Sequence, residues 1–293
     1  MFQYAAGRAL AIRNSAQLYL DTTTGFVRDS AYGRTFELGV LPIKAEKAGL
    51  RKQAPFWFER ARDRLLGADG AAIQERPWGT FIRETTTRHM DEVANFHNLG
   101  NSWVLGYWQC ERYFTDIKDI VSDELTPPAP KEPQFLEMGK TMGTCNSVAV
   151  GVRLFEEVPG ATKVGVGGLT PVAFYDVAAK QLTCRIKDPV FFVFCTTQAP
   201  VLQEINLPGI VHYITHDNGF KGSISRLWLI SQCSHHILSN SSFYWWGAWL
   251  AEHKRPDAQI FASALFPNQD TIPKRWLALG CNAQDNSEQM TRY

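Results

Sequence analysis

Two stretches of this chain place residues that can hold an anion at the ends of structural elements. Asn240-Ser241-Ser242-Phe243 lies inside LWLISQCSHHILSNSSFYWWGAWLAEHK, residues 227–254. Its serines suit an N-cap, and backbone N–H groups and hydroxyls at a helix N-terminus attract phosphate oxygens through hydrogen bonds and the helix dipole. Arg153 follows the apolar run SVAVGV, residues 147–152, and so falls at a second strand end. A phosphorylated ligand is the chemistry the serine turn suits, and Arg153 lies at the kind of strand end where a ligand sits. The plainer alternative is scaffold, because most strand-turn-helix units with a serine cap bind nothing.

Several elements must bring these ends together. Residues 147–152 and the continuous apolar run VFFVF, 190–194, read as strands of the kind buried in a parallel sheet, and 210–214 repeats the theme. Residues 172–182 and 223–232 read as helices, 236–239 as a short buried strand, and the helix opened by Ser241 stops before Pro256. The order β-α-β-β-α-β-α predicts a Rossmann-like sheet with its ligand at the carboxyl ends of the strands. The first half is less regular. Residues 2–13 have helical spacing closed by Asn14, and 16–20 alternate as a strand. Pro42, Pro55 and Pro77 punctuate short elements around a basic helical run, 56–66, whose charges fit a solvated face. Residues 104–107 read as a strand running into a helix over 108–125. TPPAPKEPQ, 126–134, holds four Pro in nine residues and reads as a stiff connector, which divides the chain into 1–135 and 136–293. A first element that is a helix with no strand before it predicts a missing N-terminal segment: either translation begins upstream, or the chain lacks its first strand and is then of low stability.

Composition narrows the partners. A hydrophobic content of 45% with nine Trp and 18 Phe fills two cores, while a formal charge of +1 gives no basic field for nucleic acid. No run reaches the length of a membrane span and the N-terminus lacks a signal peptide, so the expected place is the cytoplasm, with room for peripheral attachment at the inner membrane. The six Cys include no C-x-x-C pair, and His212, His216, His235 and His236 complete no ligand set, so no metal is expected. The aromatic run FYWWGAWL reads as buried core rather than a sugar platform, and Tyr107 and Trp108 as the better stacking candidates.

SNSSFYWWGAWL, MFQYAAGRALA at the start, GYWQCERYFTDI at 106–117 and NSVAVGVR at 146–153 occur in order. Together they resemble the α-1,2-fucosyltransferases of glycosyltransferase family 11. The resemblance implies an α/β chain of GT-B type, with two Rossmann-like domains facing across a cleft, an N-terminal acceptor side and a C-terminal nucleotide-sugar side. The implied reaction is inverting, metal-independent transfer of L-fucose from GDP-β-L-fucose to the 2-hydroxyl of a terminal β-galactoside. The absence of D-x-D agrees, because the leaving diphosphate then needs protein cations and dipoles. Arg153 occupies the family's first motif Arg, where a planar guanidinium can hold a phosphate through paired hydrogen bonds. Asn240, Ser241, Ser242 and Phe243 would complete the cradle.

The departures from the family concentrate at the ligand. The family's His is Gly151 here, its second Arg is Leu154, and its Gly and Asp are Phe155 and Glu156. Cys195-Thr196-Thr197 replaces Ser-Asp-Asp, and Arg226 replaces an acid. By resemblance to core fucosyltransferases, that acid and the His help recognise guanine. A carboxylate accepts from the paired N–H groups of guanine, whereas Arg only donates, so an altered base, another nucleotide sugar or no donor is the expectation beside GDP-fucose. Recognition through backbone groups is the alternative. Glu156 is the candidate general base, with Glu157 second, since adjacent residues on a strand end point opposite ways. A catalytically degenerate GT-B protein that binds glycan or nucleotide is the competing reading.

Overall fold

The structure is a computed structural model that describes residues 1–26, 35–67, 70–97, 100–154 and 165–280. It divides into two compact units.

The first unit comprises Met1–Leu125 with Asn268–Thr271. Helix α1, Phe2–Arg13, is rich in Ala and buries Tyr4, Ala5, Ala9 and Leu10. Strand β1, Tyr19–Leu20, pairs in parallel with β2, Glu46–Lys47. Helix α2, Leu50–Leu66, leads to the antiparallel pair β3, Ile73–Arg76, and β4, Gly79–Arg83. After the single turn α3, Asp91–Ala94, strand β5, Ser102–Leu105, adds in parallel to β4. Helix α4, Lys118–Leu125, closes the unit by presenting Glu124 to α1, where the carboxylate accepts from the Tyr4 hydroxyl and, at 2.9 Å, from Arg8 Nη2.

Four readings of this half need correction. Pro55 does not end an element: it sits inside α2, which begins at Leu50 and forgoes one backbone hydrogen bond there. The charges of 56–66 are not all solvated either, because Glu59 is fully buried and meets Arg62, Arg76 and Arg83. Finally, only Lys118–Leu125 of the segment 108–125 is α-helical. Trp108 has φ of 55° and 3₁₀ turns follow at Glu111–Tyr113 and Thr115–Ile117. Trp108 is also 1% exposed, so it is core and cannot stack on a ligand, while Tyr107 remains exposed.

The second unit comprises Thr126–Pro267 and the described residues from Ile272 on. Its first helix, α5, Pro133–Gly143, uses the last Pro of the connector at its first turn, where a missing N–H is harmless. There follow β6, Asn146–Gly151, then α6, Val172–Thr183, and β7, Pro189–Phe194. Strand β8, Ile210–Ile214, and α7, Ser223–Ile230, come next, then β9, His235–Leu238, and α8, Ser242–Lys254. Strands β10, Ile260–Ser263, and β11, Leu277–Leu279, complete one six-stranded parallel sheet. Its spatial order is β11-β10-β9-β6-β7-β8. Val148, Val150, Phe191, Val193 and Ile237 pack with Phe174, Ala178 and Leu182 of α6 on one face. The pleat turns Gly151 to the opposite face, where α8 lies.

Candidate active site

Counted along the chain, the sheet order is 3-2-1-4-5-6, with β6 first and β9 fourth. The chain leaves β6 toward β7 on one side and leaves β9 toward β10 on the other, so a crevice opens at the carboxyl ends of β6 and β9. These two strands are hydrogen-bonded in parallel, with Gly151 in register with Leu238 and the Ser239 N–H donating to Gly151 O at 3.0 Å. Arg153 and the 240–243 turn, far apart in sequence, therefore emerge at one end of adjacent strands. Arg153 is half-buried, two residues past β6.

Gly151 carries no side chain because a tyrosine ring occupies its place. A Cβ built there would lie 2.6 Å from Tyr244 Cδ2. The buried Tyr244 hydroxyl lies 2.9 Å from both Val152 O and Phe194 O, so its one hydrogen bridges the carbonyls that follow and end β6 and β7. Sequence reading placed Tyr244 in the core but did not connect it with the missing His. The signal lay in pairing a strand-end Gly with the third residue of α8.

The turn after β9 divides its labour. Asn240 is structural: its amide donates to Gly168 O at 2.9 Å and Leu265 O at 3.2 Å, and its oxygen accepts from Thr170 at 3.3 Å. Ser241 is buried at the N-cap, yet its side chain makes no capping bond to α8. The N-cap side chain thus leaves the start of that 13-residue helix uncapped, the arrangement that favours an anion. Ser242 is exposed and Phe243 half-exposed at the same end. Ser239, which sequence reading left in the strand, is fully buried with a hydroxyl that has no partner.

Arg226 stands apart from this cradle. It is 6% exposed; Nη2 donates to Cys195 O at 2.8 Å, and Nη1 lies 3.0 Å from His216 Nε2. Since Arg can only donate, His216 must accept through Nε2 and carry its proton on Nδ1. Arg226 thereby ties the segments that follow β7 and β8, and its Nε has no partner. Glu156, the candidate base, lies outside the described residues, as do Phe155 and Glu157.

The arrangement offers a guanidinium, an uncapped helix start and buried hydroxyls at a switch point, which suits the diphosphate of a nucleotide sugar. The sequence matches the family described as glycosyl transferase family 11 over residues 79–273. The chain belongs to that family. It is 26% identical over 290 residues to the alpha-1,2-colitosyltransferase of Escherichia coli, covering 95% of this chain and 94% of that one. Among solved structures it is similar to a family 9 glycosyl transferase from Veillonella parvula, with a TM-score of 0.38, 11% identity and coverage of 99% of this chain and 86% of that one. The ADP-heptose LPS heptosyltransferase II of E. coli gives a TM-score of 0.38 at 13% identity, with 95% and 86% covered. The glycosyltransferase assignment rests on the family match, and the α/β, GT-B class that the resemblance implied is represented in the second unit by a complete doubly wound sheet.

Proposed function

We propose that this chain is an inverting, metal-independent glycosyltransferase that moves a deoxyhexose from a nucleotide diphosphate to the 2-hydroxyl of a terminal β-galactoside, with GDP-β-L-fucose as the first donor to test. The observation that carries this reading is that Arg153 and the uncapped start of α8 follow the carboxyl ends of two adjacent strands at the switch point of the second unit. In the reaction, the acceptor oxygen forms a bond to the anomeric carbon while the carbon–oxygen bond to the diphosphate breaks. The leaving group takes the electron pair, and the hydroxyl proton passes to a base, for which Glu156 is the candidate. Arg153 and the α8 N–H groups stabilise the charge that builds on the leaving diphosphate. We place the reaction in the cytoplasm, on free or lipid-linked acceptors at the membrane surface.

A second donor reading has its own support. Both positions through which the family resemblance implies guanine recognition are engaged within the protein: Tyr244 fills the space beside Gly151, and Arg226 is held by Cys195 and His216. The similar enzyme from E. coli is named for a colitosyl rather than a fucosyl group, so the sugar also varies among relatives. Under this reading the donor carries another base or sugar.

Incubation with GDP-fucose and lactose, following GDP release, tests the first reading, and calorimetry with GDP, UDP and dTDP tests the base. Selective GDP binding with turnover of GDP-fucose supports the first reading; selective UDP or dTDP binding, or selective GDP binding without turnover of GDP-fucose, supports the second donor. Arg153→Ala should lower turnover by about a hundredfold or more if it stabilises the leaving diphosphate. Full turnover in that variant would remove Arg153 from the site.

A further inference from the structure

Helix α2 is oriented against its own hydrophobicity. Leu50, Ala54, Trp57, Phe58, Ala61 and Leu65 recur at i, i+4, i+7, i+8, i+11 and i+15, which at about 100° per residue forms one continuous stripe. A stripe of this kind ordinarily faces a core. Here Leu65 is 82% exposed, Phe58 70% and Trp57 44%. The side that holds the helix to its unit is the charged one. Glu59 is fully buried against Arg76 at 3.0 Å and Arg83 at 3.5 Å, and Asp63 accepts from Arg83 at 2.6 Å. The Trp103 indole adds a hydrogen bond of 2.7 Å to Lys52 O.

This inversion sorts the charges. The only two acids of α2, Glu59 and Asp63, turn inward onto the arginines of β3 and β4. Outward, Arg60 and Arg64 follow one edge of the apolar stripe and Arg51 the other, all exposed. Arg62 sits beside Arg51 on that second edge, partly exposed and paired with Glu59. The outer surface is therefore apolar in the middle and cationic at both edges, although the chain as a whole carries only +1.

We infer that α2 is a membrane-docking helix that lies in the interface of an anionic bilayer, with Trp57, Phe58 and Leu65 in the acyl region and Arg51, Arg60 and Arg64 at the headgroup phosphates. Trp, Phe and Leu on one face with arginines beside them is the composition that holds a helix in the plane of the interface. Charge selects this occupant. A second copy would bring the same arginines against themselves, whereas anionic lipid supplies the complement all along the helix. No described helix is long and apolar enough to cross a membrane, so the contact is peripheral. The inference deepens the proposed placement of the reaction at a membrane surface, and its test uses no donor or acceptor, so it can fail while glycosyl transfer stands.

The test is co-sedimentation of the full chain with vesicles of phosphatidylcholine alone and of phosphatidylcholine mixed with phosphatidylglycerol, at low and high salt. Binding to the mixed vesicles that weakens with salt is expected. Phe58→Ser with Leu65→Ser should lower the partition coefficient at least about tenfold, because two exposed side chains lose their apolar burial. Arg60→Gln with Arg64→Gln should lower it about tenfold on mixed vesicles and leave phosphatidylcholine unaffected. Because all four positions are solvent-exposed, thermal melting should stay near that of the parent chain. Absence of binding by the parent chain to mixed vesicles, or binding untouched by both double variants, would overturn the inference. So would sedimentation velocity showing that Phe58→Ser and Leu65→Ser act only by dissociating a dimer.

Discussion

Helices α2 and α8 contain similar aromatic residues and use them in opposite ways. In α8, Trp245, Trp246 and Trp249 are buried and pack on one another, Trp245 stacked on Trp249 and Trp246 edge-on to both, with Trp276 against Trp245 at 5.4 Å between centroids. Gly247 lets Ile230 of α7 approach so closely that a Cβ there would come within 2.8 Å of the Ile230 Cβ. In α2, the Trp and Phe face outward and the helix is held by the ion cluster around Glu59. Apolar content therefore does not by itself say which face is inside. Neighbouring strands decide: β6 and β9 are apolar at their carboxyl ends, while β3 and β4 end in Arg76 and Arg83.

The contrast can be broken by substitution. Trp245→Ala should destabilise the chain by about 3–5 kcal/mol, the range for emptying a large buried aromatic site, as read by urea melts. Removing the carboxylate of Glu59 by Glu59→Ala should cost about 3 kcal/mol, because Arg76 and Arg83 are left facing each other with little water to separate them. If that variant melts like the parent, the ion cluster does not hold α2. Acid should separate the sheet core from the ion cluster. Burial, with lesser effects from His235 and Arg255, pushes the His236 imidazole from 6.5 down to about 3. Between those values the unfolded chain binds a proton that the folded chain does not, so stability is full above the unfolded value and is lost as pH falls. The loss between about pH 8 and about pH 5 should be roughly 2 kcal/mol, and His236→Leu should flatten that slope. Smallest of all, Phe58→Ala should change stability by no more than about 0.5 kcal/mol, since its side chain is already in water.

Much of the second unit was legible because strand and helix alternate there with clear periods. The helices at 172–183, 223–230 and 242–254 and the apolar strands at 148–151 and 190–194 follow directly from those patterns. Strands β10 and β11 were not legible, since four and three residues give too short a pattern to read. The first unit was harder for a different reason: Pro55 inside a helix and the positive φ of Trp108 are tertiary choices that override local preference. At the site, strand ends located Arg153 and the 240–243 turn. No sequence spacing revealed that Asn240 fastens Gly168 and Leu265, or that Arg226 spans Cys195 and His216.

The Tyr244 ring over Gly151 has a consequence for how such chains diverge. A side chain at position 151 and a ring at position 244 compete for the same volume, so neither position can change alone without a clash or a cavity. Homologues that keep a histidine at the first position should carry a small residue at the second, and those with glycine should carry an aromatic one. That two-letter pairing, read from any new sequence, would sort the family into branches before a single donor is assayed.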